Sequence, residues 1–323
     1  MPFDSKEIHV RNREFYTAFE ERFRGSRDLI RERLSVYLPF IEPLKDIYRE
    51  LPSVDLGCGR GEWLELIGEK GFDAHGVDLD AEMLASCREL GLSVMTGDAI
   101  SFLKGLGDES QVSISAFHVA EHISFTELQI LVSESLRILK PGGLLILETP
   151  NPENIAVGTN NFYFDPTHIR PIPYQLLVFI PEYYGFNRTK VLYLQESKEV
   201  TDRLHPSLID VLNGVSPDYA IIAQKKASDN ILRGFDAPFS KEYGLTLVEL
   251  AHRFDLRLNE LDAKVQEHIA RLYDTLSQRD NQLQSLFNTL AQRDNELHSI
   301  YNTTAGKFIR FYKSFKKRLK NAE

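Results

Sequence analysis

A chain of 323 residues, 42% of them hydrophobic, can bury one α/β core and still carry something extra. Its formal net charge of −9 argues against a nucleic-acid binder. The charge is uneven: beyond Gly306 seven Lys/Arg stand against one Glu, so a tail of +6 follows a remainder of −15, the asymmetry of an interacting tail. Two cysteines, Cys58 and Cys87, cannot build a zinc site, no Cys/His spacing supports a metal, and scarce cysteine fits a reducing cytosol. No leader-like apolar region opens the chain and no apolar run approaches the ~20 residues of a membrane span, so a cytoplasmic protein is expected.

Residues 1–50 read as a helical cap. Phe15, Phe19, Phe23, Leu29, Leu34 and Leu38 recur near helical spacing among many Arg and Glu. Gly25-Ser26 interrupts the run, with Ser26 as the N-cap of the next helix. From 51 to 226 strands and helices alternate, the pattern of a parallel sheet covered on both faces. Strands are predicted over 53–56, 74–77, 92–95, 112–117, 144–148, 190–194 and 219–224. A helix predicted over 125–139 ends at the stop signal Lys140-Pro141-Gly142-Gly143.

Residues 227–244 are polar and carry Pro and Gly, which reads as a linker. Over 245–305 the pattern is purely helical: Phe254, Leu258, Leu261 and Val265, then after one stutter Ile269, Leu272, Leu276, Leu283, Leu286, Leu290, Leu297 and Ile300 keep a heptad seam. Arg279 and Arg293 hold polar seam positions, and Ser277–Leu290 repeats as Ala291–Thr304. A self-associating coiled coil of ~90 Å follows, with a helix folded back on its own domain as the alternative. Residues 306–323 form a basic amphipathic tail, with Phe308, Tyr312, Phe315 and Leu319 on one face and seven Lys/Arg from Lys307 to Lys320 around them. Such a helix lies on an anionic membrane surface or ends the coil as a solvated basic stretch.

The chemistry begins at Val54-Asp55-Leu56-Gly57-Cys58-Gly59-Arg60-Gly61-Glu62, a strand end, a glycine turn and a helix start. Gly57, Gly59 and Gly61 let backbone approach a ligand where a Cβ would collide. A dinucleotide fingerprint would place its last glycine at position 62, where this chain has Glu. A carboxylate there disfavours pyrophosphate and tolerates a cationic ligand. The Asp-x-Gly-x-Gly-x-Gly run resembles the S-adenosylmethionine (SAM) loop of class I methyltransferases. In that setting Asp55 faces the ligand's amino group, Asp78 accepts from both ribose hydroxyls, and Leu79 and Met83 flank the adenine. Asp98 and the Ala99 N–H meet the adenine edge, and Phe117 closes strand four beside the cofactor. Singly, each acid also reads as a turn residue or helix cap.

The Asn/Asp-Pro-Pro-aromatic stretch of amino-methylating nucleic-acid enzymes is absent after strand four, which excludes adenine and cytosine amino groups as acceptors. Glu121-His122 stands there instead and is similar to the Glu-His pair of many small-molecule and lipid methyltransferases. His122 is a candidate general base, with Glu121 beside it. In the long loop after strand five, His168 rivals it, and Tyr163, Asp165 and Arg170 suit a hydroxylated or phosphorylated acceptor.

Phe19–Arg27, the glycine loop, Gly76-Val77-Asp78, Ala120-Glu121-His122, Glu148–Asn154 and Asp165–Pro171 together resemble one group of bacterial class I methyltransferases of surface-polysaccharide clusters, some called O-antigen chain-terminating methyltransferases. The resemblance implies a Rossmann-like α/β sheet of seven strands, the seventh antiparallel between five and six, with an N-terminal helical cap. It implies a lid of Tyr16, Arg24 and Arg27 over SAM, and a lipid-linked or membrane-associated glycan as acceptor, methylated on a sugar hydroxyl or terminal phosphate. A kinase signature, which better-studied chain terminators carry, is missing from this chain. The coil would then set a distance between the inner face of the cell membrane and the active site. Two other readings stand beside it: a small-molecule or lipid methyltransferase with an oligomerising coil, and a non-catalytic SAM-fold scaffold.

Overall fold

The computed structural model describes residues 25–320, so Tyr16 and Arg24 of the expected lid lie outside the described residues. The chain forms two compact units, one up to Phe254 and one from Asp255.

The first unit is built on seven strands: β1 (Pro52–Leu56), β2 (Asp73–Asp78), β3 (Ser93–Thr96), β4 (Gln111–Phe117), β5 (Leu139–Pro150), β6 (Arg188–Leu194) and β7 (Asp218–Gln224). Their order is β3-β2-β1-β4-β5-β7-β6. The first five run parallel, and β7 is antiparallel to both β5 and β6. This is the Rossmann-like sheet that the resemblance implied. The strand order reverses between β1 and β4, and open parallel sheets bind ligands outside the strand ends at that crevice.

Alternate residues of the central strands serve opposite faces. On one face Val54, Leu56, Ile114, Ala116, Leu145 and Leu147 pack with Leu128, Leu131 and Val132 of α5 (Phe125–Ile138) and Leu177 and Ile180 of α6 (Tyr174–Tyr184). On the other, Val112, Leu144 and Ile146 meet Tyr37, Phe40, Ile41 and Leu44, together with Trp63, Leu66 and Ile67. The first four follow α1 (Arg27–Leu34), and the last three belong to α2 (Glu62–Glu69). The described part of the cap is thus part of the core. Each fully buried aliphatic or aromatic side chain here contributes about 1.5–3 kcal/mol. Ser26 caps α1, its Oγ accepting from the Leu29 N–H at 3.3 Å.

The structure corrects two boundaries. Residues 227–244 are not a linker: helical turns at Asp229–Arg233 and Asp236–Ser240 bring Phe235 into the second core with no exposed surface, and Phe239 packs edge-on against Phe40 at 5.5 Å. Two aromatic anchors four residues apart outweigh a polar composition. The expected coil also starts too early. α7 (Leu247–Asn302) contributes Leu250 and Phe254, with Leu245 before it, to a small core around Val200, Val211 and Val215.

In the second unit the seam residues of α7 stand exposed, Leu272 by 63% and Leu283 by 52%. The helix breaks at Thr303, and α8 (Thr304–Lys320) follows; a Cβ on Gly306 would run into the Ile300 carbonyl, so only glycine fits that turn. Among the described residues no helix is long and apolar enough to cross a membrane.

Candidate active site

The turn between β1 and α2 is forced left-handed at Gly57, Gly59 and Gly61, with φ of +68°, +50° and +79°. A Cβ on Gly57 would stand 2.5 Å from Val119 Cγ2, and one on Gly61 2.7 Å from Leu92 Cδ1. At these two positions an added side chain would collide with the protein's own Val119 and Leu92. The Gly59 N–H donates to Asp78 Oδ2 at 2.9 Å, and the Asp80 N–H to Oδ1 at 2.8 Å. Asp78 thus ties the glycine loop to the end of β2, and each carboxylate oxygen keeps a lone pair for a diol. Asp55, 2% exposed, accepts from Ser115 Oγ at 2.7 Å.

Glu62, at the position that decided against a dinucleotide, is 2% exposed and forms an ion pair with Arg60 Nε at 2.8 Å. Its charge is therefore balanced within the turn. Arg27 donates to the Arg60 carbonyl at 2.7 Å and to Glu65 at 3.0 Å, fastening α1 to the loop.

A cavity of about 740 Å³ opens at the strand ends and takes in Asp55, Gly57, Gly59, Asp78, Leu79, Met83, Asp98, Ala99 and Phe117. Of the residues expected to hold or cover the cofactor and described here, Gly61 and the lid residue Arg27 are not on its wall. Leu79 is 76% exposed, a free apolar flank. Asp98 caps α4 (Ala99–Gly105), its Oδ1 accepting from the Ser101 N–H at 2.8 Å; the Ser101 hydrogen bonds hold its carboxyl below the ordinary range.

The cavity floor was not foreseen. His118 sits in left-handed backbone at φ +55°, with Nδ1 3.1 Å from Glu121 Oε1 and Nε2 3.4 Å from Glu148 Oε1. Tyr37 donates to the second Glu148 oxygen, and Gln195 Nε2 donates to the first at 3.0 Å. Desolvation opposes a charge on His118, although its side chain is 44% exposed, but its bonds to Glu121 and Glu148 and the field of Asp218 prevail, raising it well above the usual imidazole range. Burial pushes Asp218 up to about 7, the pull of His118 being offset by the like charges of Glu148 and Glu121. Glu121 has no exposed surface; burial works against its charge, yet His118 holds it below the ordinary carboxylate range. With Thr149 Oγ1 donating to its other oxygen at 2.9 Å, Glu121 orients His118 and is not on the cavity wall.

The rim carries the two expected bases. Thr167 Oγ1 donates to Asp165 Oδ1 at 2.6 Å and lies 2.8 Å from His122 Nδ1. The hydroxyl has one proton, so Nδ1 is the donor and Nε2 keeps its lone pair. His168 Nδ1 lies 2.6 Å from the Phe162 carbonyl, which only accepts, so Nε2 is again the free acceptor. The two rings meet edge-on at 4.6 Å, and both line the cavity with Asp165 and Thr167. Burial, with the neighbouring His168 ring, outweighs Glu121 and lowers the His122 pKa, favouring the neutral base. Tyr163, 61% exposed, and Arg170, whose guanidinium stacks over Phe125 at 4.9 Å, stand outside the cavity.

These residues fit SAM. Asp78 offers unused lone pairs to a diol, Leu79 and Met83 an apolar flank, and Asp55 and Glu148 a negative field for ammonium and sulfonium. The comparisons agree. The methyltransferase-domain family matches residues 54–147. The ubiquinone biosynthesis O-methyltransferase of Methylococcus capsulatus is 30% identical over 106 residues, 31% of this chain and 43% of that protein. A probable SAM-dependent methyltransferase of Mycolicibacterium smegmatis is 29% identical over 135 residues, 41% of this chain and 51% of that one. The chain thus spans about half the length of these curated relatives. The crystal structure of a SAM-dependent methyltransferase from Archaeoglobus fulgidus superposes with a TM-score of 0.59 at 34% identity, over 65% of this chain and all of that one. The chain belongs to the class I SAM-dependent methyltransferases.

Proposed function

We propose that this methyltransferase acts on an oxygen of a membrane-associated glycan, a sugar hydroxyl or a terminal phosphate. The observation that carries the reading is the pair of free Nε2 edges, on His122 and His168, in one cavity with the glycine turn and Asp78. Bound SAM supplies an electrophilic methyl group. The protein's part is positioning, which can supply ~7 kcal/mol or more of barrier reduction. The turn and Asp78 orient the donor, and Glu148 on the floor, with His118 held by Glu121 behind it, faces the positive charge. His122 Nε2 takes the acceptor proton while Thr167 and Asp165 keep Nδ1 protonated, with His168 as the alternative base. Tyr163 and Arg170, on the outer side of the same loop, suit a chain longer than the cavity.

The exposed heptad seam of α7 supports self-association, and the basic aromatic face of α8 supports docking on an anionic membrane. Both features support a protein at the inner face of the cell membrane, with the coil setting the reach of the active site. A lipid or small-molecule hydroxyl is the second reading, favoured by the name of the Methylococcus capsulatus relative. The intact glycine turn and its bond to Asp78 speak against a dead scaffold.

The test is transfer of label from methyl-labelled SAM to extracted glycan and to extracted lipid. Label in glycan upholds the proposal, and label in lipid alone transfers it to the second reading. No label in either overturns both. His122→Ala or His168→Ala should lower turnover by about 100-fold or more while sparing SAM binding; full rate in both removes the base assignment.

A further inference from the structure

We propose that Glu121, His122 and His168 form a binding site for one divalent first-row transition-metal ion on the acceptor side of the cavity. One ligand atom from each residue lies within 4.8 Å of the other two. Two imidazoles and a carboxylate are a donor set of three-ligand metal sites that keep further coordination positions open.

Three features show a site already organised around these atoms. Both imidazoles are fixed from behind, His168 Nδ1 by the Phe162 carbonyl at 2.6 Å and His122 Nδ1 by Thr167 at 2.8 Å. Such outer contacts set the tautomer and aim Nε2 in metal-binding histidines. The Glu121 carboxylate is likewise fixed by Thr149 Oγ1 and His118 Nδ1, each oxygen keeping a lone pair. The backbone also joins the contributing segments, the Ile169 N–H donating to the Glu121 carbonyl at 2.8 Å, so the turn after β4 and the loop after β5 hold the ligands together.

Because His122 and His168 line the cavity and Glu121 lies behind them, the open positions of a bound ion face the space where an acceptor oxygen enters. A cation there uses the same Nε2 lone pairs as a proton, so with the ion bound neither imidazole is the base. Close Cys/His spacing is a poor guide to this set, since its third ligand comes from a separate loop. The site stands whichever acceptor is methylated.

The experiment uses the untagged full chain, stripped with chelator and titrated with Co²⁺, followed by visible absorption and by metal analysis after dialysis. SAM binding is measured on the same preparations. One equivalent of Co²⁺ should bind, with displacement by Zn²⁺. His122→Ala and His168→Ala should each weaken Co²⁺ by about 100-fold or more, and Thr167→Val, which leaves every ligand in place, by about 10–100-fold. SAM binding should persist in all three; if a histidine variant loses it, Thr167→Val decides. The proposal is overturned if the wild-type chain binds SAM but holds Co²⁺ no more tightly than the His122→Ala/His168→Ala double variant. Failure of the metal-free chain to label glycan, with Co²⁺ binding intact, would count against the proposed acceptor instead.

Discussion

Gly57→Ala tests whether the glycine turn is shaped by the protein itself. Two separate costs arise. The added Cβ must sit in left-handed backbone at φ +68°, worth about 1–2 kcal/mol for an L-residue. It also meets Val119 Cγ2 at 2.5 Å, and overpacking of that kind costs about 1–3 kcal/mol. The sum, about 2–5 kcal/mol, is a large part of the 5–15 kcal/mol that holds a domain together. Urea unfolding can read it through Trp63, the one tryptophan in the chain, 2% exposed on the helix that follows the turn. The midpoint should fall with the slope unchanged. Val119→Ala separates the terms: in the wild-type background it removes packing, in the Gly57→Ala background it also removes the clash. A coupling of about 1–3 kcal/mol should appear in the cycle, leaving the backbone cost behind. The reasoning fails if Gly57→Ala stays within about 0.5 kcal/mol of wild type, or if the two changes simply add.

Asp78→Ala strips two backbone N–H groups of their acceptor and the diol of its partner; at about 1.5–3 kcal/mol per bond to a charged group, calorimetry should show SAM affinity down roughly 100-fold or more, and unchanged affinity would refute the assignment. Asp218 keeps a proton in the folded state up to about 7, well above the usual carboxylate value, so the folded state binds more protons than the unfolded one between about pH 4 and 7. Wild-type stability should therefore fall across that window relative to Asp218→Asn, and a melting-temperature difference that is flat with pH would contradict the buried-acid argument. Charging the exposed seam with Leu276→Asp and Leu283→Asp should convert the sedimenting species to a monomer, whereas a wild-type chain already monomeric would remove the coil from the account. Deleting 307–323 should abolish flotation with anionic vesicles in low salt, and equal flotation of both chains would sink the membrane reading.

The readable parts of this chain are those where a short window carries the physics. The run from Leu144 to Leu147 announced a strand because both faces of β5 are buried. Its early start was hidden, since Lys140-Pro141-Gly142-Gly143 reads as a helix stop and in fact carries the strand, with Gly142 at φ +77°. Phe235 and Phe239 were lost in a polar stretch because two anchors outweigh an average. In the site, the glycine turn, Asp78 and His122 lie next to strand ends and could be named in advance. The floor could not. Asp218 opens β7, and only the antiparallel register, which sets it opposite Pro150 at the end of β5, brings it to the same rim as Glu148. Tyr37 reaches Glu148 across the sheet from the N-terminal helices, a contact no local spacing encodes.

The charges around the cavity also bear on the acceptor. Of the described residues on its wall, nine are Asp or Glu, and Arg33 is the one Lys or Arg. Glu62 is paired within the turn and Asp98 is spent on a helix cap, but Asp78, Glu148 and Asp165 face inward, and His118 offsets only part of their field. Such a wall attracts a sulfonium and repels a phosphate, since like charges a few ångströms apart in a partly desolvated site cost several kcal/mol. The rim is different: His122 is held toward its neutral form and His168 aims an acceptor nitrogen into the same space. On protein groups alone the site therefore favours a neutral sugar hydroxyl. A terminal phosphate becomes an equal candidate only when a cation occupies Glu121, His122 and His168, so a chain that binds no ion there leaves the neutral sugar hydroxyl as the favoured acceptor.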